Sequence, residues 1–325
     1  MKVGFTYDLR DDYLKEGYGT EETAEFDRRD TIDALEEAIS SFGHEVDRIG
    51  NARQLVAKLA CGAAWDLVFN IAEGMYGNGR EALVPALLDA YRIPYTFSDP
   101  LVLALTLHKG MTKAVIRDAG LKTADFAVVD ELSRAEAVDL PYPLFAKPVA
   151  EGTGKGISGA SRIASPRELH EVCARLLREF SQPVLVETYL SGREFTAGVV
   201  GTGRSARVVG VMEVLFRKGY EGDAIYSYHS KANYEEMIMY SVPEGEMIGP
   251  CAELALASWR VLGCRDGGRV DIRMDEAGDP NFIEVNPLAG LNPVHSDLPI
   301  LCRLNGIPFR ELIGEILDSA LKRTG

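Results

Sequence analysis

Apolar and polar positions change their period several times along the chain. In the N-terminal part, KVGFTY, HEVDRIG, WDLVFNIAEG and IPYTFSD are short apolar or alternating runs. Between them, DTIDALEEAISSFG, ARQLVAKLACG and REALVPALLDAYR carry apolar residues at helical spacing. Strands alternating with helices predict a parallel sheet covered on both faces, with ligands bound at the carboxyl ends of the strands. Those ends are YDLRDD and NIAEGMYGNGRE. From about Pro100 the pattern changes. LVLALTLHKGMTKAVIRDAG reads as one helical stretch, FAVVD as a strand, and PYPLFAKPVAEGTGKGISGASRI as two strands around a glycine-rich turn. PRELHEVCARLLREF is a helix, and the remainder is rich in strands and closes with helices. The expected organisation is α/β in three parts, 1–100, 101–183 and 184–325, without internal repeats or heptads.

One run breaks its own apolar pattern. DPNFIEVNPLAG reads as a buried strand, yet carries Glu284 and Asn286. With a period of two, Phe282, Glu284 and Asn286 share one face, and Ile283 and Val285 the other. Upstream, GRVDIRMD places Arg269, Asp271 and Arg273 opposite Val270, Ile272 and Met274. DEAGDP has strong turn chemistry, so the two runs form a hairpin. Pairing Asp271 with Glu284 sets Arg269 opposite Asn286. Facing carboxylates repel unless a cation lies between them. Hard oxygen ligands of this kind suit Mg2+ that completes its shell with nucleotide phosphates. A solvated face neutralised by Arg269 and Arg273 is the alternative.

The net charge is −14 over 325 residues. Such an acidic surface argues against nucleic acid or an anionic membrane as the main partner, so a phosphate site must be a local basic pocket. No apolar run is long enough to span a bilayer, and Met1 leads directly into a strand-like run. The five cysteines are scattered without CxxC spacing. Reduced thiols and a cytoplasmic location are expected.

Candidate cations lie in particular places. Lys147 sits in an apolar strand before Pro148, where a buried ammonium needs an anionic partner. Gly152, Gly154 and Gly156 follow, with Lys155 among them. Alternate glycines let backbone N–H groups approach an anion, although a flexible hairpin turn has the same composition. Glu187 ends an apolar strand and Glu194 opens the next. A strand-end acid can accept from an adenine amino group or a ribose hydroxyl, or be an ordinary edge charge. Lys109 and Lys231 say little alone.

In order, these residues resemble the ATP-grasp superfamily and, within it, the D-alanine–D-alanine ligase family. The ordered set is a helical lysine, Lys-Pro with a glycine loop, two glutamates around LSG, a loop lysine, Arg-x-Asp and Glu-x-Asn-Pro. IPYTFSDPL and HKGMTK extend the resemblance over nearly the whole chain. It implies an ATP-grasp fold: an N-terminal doubly wound, Rossmann-like domain and two α+β lobes enclosing ATP. It implies that Lys109 and Lys147 hold phosphates, that Gly152, Thr153, Gly154 and Gly156 form a lid, and that Glu187 meets adenine and Glu194 ribose. Lys231 would reach the terminal phosphate. Asp271, Glu284 and Asn286 would hold two Mg2+, replaceable by Mn2+. Arg269 and the backbone N–H of Gly290 would stabilise the reacting centre. A homodimer is implied as well.

The sequence departs from the family where amino substrates would bind. The first strand runs into TYDLRDDYLKEGYG without the family's glycine-rich first loop, leaving Asp8, Asp11 and Asp12 near the place of its acid. The aromatic residue expected after the loop lysine is Ala232, and the His-Gly second loop is replaced by NIAEGMYGNGRE. Glu73, Arg80 and Glu81 are therefore the candidate substrate readers, with Asn292 and His295 from the last motif. Arg80 is expected to clamp a second substrate carboxylate. The alternative is that Arg80 and Glu81 merely begin a helix. The expected activity is ATP-dependent ligation of a carboxylate to an amine on amino acids or small peptides. D-alanine–D-alanine ligation itself is one rival, and an ATP-binding sensor or scaffold without turnover is another.

Overall fold

The computed structural model describes residues 1–217, 237–243, 245 and 247–324. Three sheets follow one another along the chain. The first is parallel, in the order β2 (Glu45–Gly50), β1 (Lys2–Thr6), β3 (Leu67–Asn70). Leu67 and Phe69 of β3 point into one core with Ile32 and Leu35, while Val68 points into another with Leu55 and Leu88. Both faces are therefore buried, as the alternation of strands and helices predicts. Gly4 of β1 has no room for a side chain, because a Cβ there would lie 2.6 Å from Ile49 Cδ1.

Two details differ from the sequence pattern. IPYTFSD forms no strand, only a single bridge from Tyr95 to Val68. The long helical stretch is two helices, Pro100–Leu107 and Lys109–Asp118. The break falls at His108, whose ring accepts from the Met111 N–H at 3.2 Å and caps the second helix. Lys109 is thereby the first residue of a helix.

The second sheet is antiparallel, in the order β4 (Phe126–Val129), β7 (Val184–Thr188), β5 (Leu144–Pro148), β6 (Arg162–Ile163). β7 follows the expected divide at residue 183 but pairs with β4 and β5. The third sheet, also antiparallel, runs β10 (Ile238–Ser241), β9 (Arg207–Phe216), β8 (Glu194–Val200), β11 (Gly267–Met274), β12 (Pro280–Asn286). The helix Ile248–Leu262 covers one face of it, with Trp259 fully buried. The C-terminal helix Asp297–Leu304 packs on β8 and β9, and Phe309–Thr324 packs on the helix Arg29–Ser40, so Leu301, Ile313 and Ile316 share a core with Val3 and Phe5. Asp266 reinforces this packing. It is fully buried, accepts from Phe97 N–H at 2.8 Å and pairs with Arg323 at 2.7 Å. Among the described residues, no helix is long and apolar enough to cross a membrane.

Candidate active site

The hairpin β11–β12 has the register expected from its sequence. Asp271 lies opposite Glu284 and Arg269 opposite Asn286. The expected face for Phe282 is corrected. The register shifts between Asp271 and Ile272, where Ile272 pairs with Phe282 and Ile283 has no partner. This bulge turns Phe282 into the core with Val285 and leaves Ile283 beside Glu284 on the cleft. Ile283 thus supplies an apolar floor that a strict period of two assigns to the core.

A cleft between the second and third sheets collects most of the residues expected to meet ATP. Lys109, Lys147, Gly154, Lys155, Glu187, Glu194, Asp271, Arg273 and Glu284 all line it. Its inner end is closely paired. Glu187 takes Lys147 at 3.2 Å and Lys113 at 2.8 Å, with all three side chains almost entirely buried. Burial alone would raise the Glu187 carboxyl, but the two lysines beside it outweigh burial and hold it below its ordinary value. Lys113 has no counterpart in the sequence-level reading. It lies in the same helix as Lys109, one turn on, where a buried lysine looks like any helical surface residue in sequence. Nearer the opening, Lys109 donates to the Glu151 carbonyl at 2.6 Å and lies 3.5 Å from Glu284. Asp271 accepts from Thr196 Oγ1 at 2.9 Å and pairs with Arg269, and Arg273 lies 3.3 Å from Glu194. Among the described residues no three His, Cys, Asp or Glu side chains form a cluster able to hold a metal by themselves. Asp271, Glu284 and the amide of Asn286 do fit a Mg2+ that takes its remaining oxygens from phosphates.

The glycine-rich loop 152–156 is longer than a hairpin turn, since β6 is only two residues. Thr153, Gly154 and Gly156 all have positive φ, at 49°, 73° and 75°. For Gly156 the fit is tight as well, because a Cβ would meet Pro148 at 2.6 Å.

A second cavity adjoins the first across Lys109, Glu151 and Glu284. It holds Arg269, Asn286 and Gly290 on one side, Gly152 and Thr153 on another, and Glu25, Glu73 and Glu81 on the third. The Thr153 hydroxyl oxygen is buried there without a hydrogen-bond partner among the described residues. Burial raises the Glu73 carboxyl well above its ordinary value, and the negative charges of Glu81 and Glu25 add to the effect. Burial pushes Glu81 up to about 7, with Glu25 reinforcing it against Arg80 and Lys109.

Several substrate expectations are revised. Arg80 does not line this cavity as a carboxylate clamp. Its guanidinium is committed to Glu25 at 2.8 Å and to the Ala150 carbonyl at 2.8 Å. Glu25 is the acid that the sequence reading missed. It stands in the segment TEETAEFD, where four acids in a polar run carry no spacing signal, and it reaches the lid through the Gly152 N–H and Lys155. Asp8 instead holds the Gly74 N–H at 2.8 Å and the Tyr13 hydroxyl. Asn292 shapes its own loop: it accepts from Val294 and His295 N–H groups and donates to Thr31 at 2.9 Å. His295 is exposed. Neither lines the cavity. Lys231 and Ala232 lie outside the described residues.

Two lobes gripping a lysine-lined cleft, with paired acids on a terminal hairpin and a glycine lid, define an ATP-grasp enzyme. Residues 115–318 match the family model described as D-ala D-ala ligase C-terminus. The chain is 31% identical over 288 residues to the D-alanine–D-alanine ligase of Cupriavidus pinatubonensis, covering 87% of this chain and 84% of that one. The fold is that of the Bacillus anthracis D-alanine–D-alanine ligase solved with ATP (TM-score 0.72, 20% identity, 100% and 98% of the two chains). It is equally that of the Enterococcus faecalis VanG D-Ala:D-Ser ligase (TM-score 0.74, 19% identity, 98% and 99%). The chain belongs to the D-alanine–D-alanine ligase family and is an ATP-dependent ligase.

Proposed function

We propose that this ligase joins a carboxylate to an amine on amino acids or small peptides through an acyl phosphate, and that its substrate cavity reads positively charged groups. The observation that carries this is the meeting of two cavities at Glu284. One holds lysines suited to a polyphosphate, and the other holds Arg269, the Gly290 backbone and the half-buried acids Glu73 and Glu81. Phosphoryl transfer needs positioning and charge neutralisation above all. Lys109 and Lys147 hold the phosphates, Gly152 to Gly156 cover them, and Glu187 and Glu194 take the adenine and ribose ends. Lys231 serves the terminal phosphate in the same reading. Asp271, Glu284 and Asn286 would hold Mg2+, which supplies charge screening at the transferred phosphoryl group. The substrate carboxylate attacks that group, and an amine then displaces phosphate from the activated carbon. Arg269 and the Gly290 N–H stabilise the oxyanion that forms.

Glu73 and Glu81 have no cation within ion-pairing distance among the described residues, so a substrate ammonium group is their natural partner. D-alanine carries one such group as well, so two acids in one cavity favour a substrate with a second ammonium group, such as a diamino acid, over a pair of D-alanines. The test is phosphate release from ATP with D- and L-amino acids, diamino acids and dipeptides, singly and in pairs. Turnover greatest with D-alanine alone would refute the substrate assignment. A cytoplasmic location, the division into three parts near residues 100 and 183, and a homodimer complete the reading.

A further inference from the structure

We propose that Arg80 is a positioning residue that latches the lid to the first loop, so that the terminal phosphates of ATP are gripped only when that loop is in place. The proposal rests on the nucleotide role assigned above to Gly152–Gly156. One end of the Arg80 guanidinium donates to the Ala150 carbonyl at 2.8 Å, at the base of the lid, and the other meets Glu25 at 2.8 Å. Arg80 is 7% exposed, and the Glu25 side chain is 8% exposed. The second oxygen of Glu25 receives the Gly152 N–H, and Lys155 lies 3.5 Å away. One carboxylate from residues 20–27 therefore ties both ends of the lid's glycine run, and Arg80 holds that carboxylate.

The geometry demands these residue types. A planar fork with several donors can serve a carbonyl and a carboxylate at once, which an ammonium group does poorly. A Cβ at position 152 would lie 2.5 Å from Glu25 Oε1, so a side chain there would displace this carboxylate from the lid. The first loop is braced in turn, with Arg10 donating to the Thr20 carbonyl at 2.8 Å and to Thr23. A lid held in its closed form before the nucleotide arrives has less ordering entropy to lose on binding. The adenine end is independent of this latch. Glu187, Tyr189 and Leu190 line the far part of the nucleotide cleft, and neither Arg80 nor Glu25 does.

The test separates the two ends of the nucleotide. The full chain and its Arg80→Met, Arg80→Lys and Glu25→Gln variants are titrated calorimetrically with Mg2+ and a non-hydrolysable ATP analogue, and separately with AMP. Losing a charge-assisted hydrogen bond from the latch weakens the ATP analogue about tenfold in Arg80→Met and Glu25→Gln. AMP, which does not reach the lid, keeps its affinity, and Arg80→Lys recovers part of the loss. Unchanged affinity for the analogue, or equal losses for analogue and AMP, overturns the latch. If Arg80→Met fails to fold, the ratio measured in Glu25→Gln decides alone. A parent protein that binds neither nucleotide overturns the ligase reading and the latch with it, whereas failure confined to the variants overturns only the latch.

Discussion

The buried group formed by Lys113, Glu187 and Lys147 is the most exposing place to test the charge reasoning. Glu187→Gln removes the anion and leaves two ammonium groups, one on either side of a neutral amide. Both lysines are almost wholly buried, at 0% and 4% exposure, so water cannot take over the lost role. Breaking a buried ion pair by deleting one partner costs about 3–5 kcal/mol. The cheapest relief is loss of the Lys113 proton, since burial already lowers its affinity for that proton. Lys113→Met, in contrast, leaves one cation on one anion and costs about 1 kcal/mol or less, because an apolar replacement of similar volume needs no desolvated partner. In wild type the Glu187 carboxyl is held below 4.5, so its contribution is full above that pH and is lost as pH falls through the lowered value. In the glutamine variant the sign is the same, but the window moves to higher pH. A lysine whose folded value is depressed makes the protein more stable as pH rises towards 10.5. Urea unfolding followed by circular dichroism at pH 7 and pH 9.5, with hydrogen exchange on β5 and β7, reads both effects. Glu187→Gln no less stable than Lys113→Met at pH 7 would refute the reasoning.

Three further outcomes are expected. Gly154→Val raises the KM for ATP, since Gly154 has φ of 73° and a β-branched residue resists that conformation; unchanged ATP kinetics would reduce the lid to a simple turn. Because Glu81 is pushed up to about 7 and only its carboxylate attracts an ammonium group, KM for the amine substrate falls as pH rises through about 7. A profile identical in Glu81→Gln would remove Glu81 from substrate binding. Light scattering at micromolar concentration should give a dimer mass, and a monomer would withdraw the homodimer.

The parts legible in the sequence are those governed by local periodicity or by an ordered set of motifs. The pairing of Asp271 with Glu284 follows from the turn DEAGDP and two strands of period two, and the structure has that register. The bulge at Ile283 is not legible, because an inserted residue changes which faces are buried without changing composition. The break at His108 is hidden for a related reason: helical spacing of apolar residues resumes beyond it, and Gly110 lies inside the second helix rather than at the break. Glu25 and Lys113 were missed because their significance is wholly tertiary. Glu25 acts 127 residues from Gly152, and Lys113 acts on a strand from the second sheet. Arg80 stands out in the sequence, but its partners are the Ala150 carbonyl and Glu25. A guanidinium beside a cavity suits an internal carboxylate as well as a substrate carboxylate, and only the position of Glu25 distinguishes them.

The charges of the cleft settle how a chain of net charge −14 can receive ATP. Its cations stand beside acids: Lys109 with Glu284 at 3.5 Å, Lys147 with Glu187 at 3.2 Å, Arg273 with Glu194 at 3.3 Å, Lys155 with Glu151 and Arg269 with Asp271. Phosphates that would draw Lys109 away would weaken the pairing of Glu284, and weakening a buried ion pair costs up to about 3–5 kcal/mol. A divalent ion held by Asp271 and Glu284 would offset that cost, so binding of nucleotide and metal would be linked. ATP affinity should therefore fall by more than the loss of a few metal–phosphate contacts when EDTA replaces Mg2+. The fall should also be much smaller in Glu284→Ala, where Lys109 has no acid to abandon and part of the metal site is gone. Calorimetric titration of ATP into both proteins, with and without Mg2+, measures the coupling directly. Equal metal dependence in wild type and Glu284→Ala would show that Glu284 does not link the two ligands.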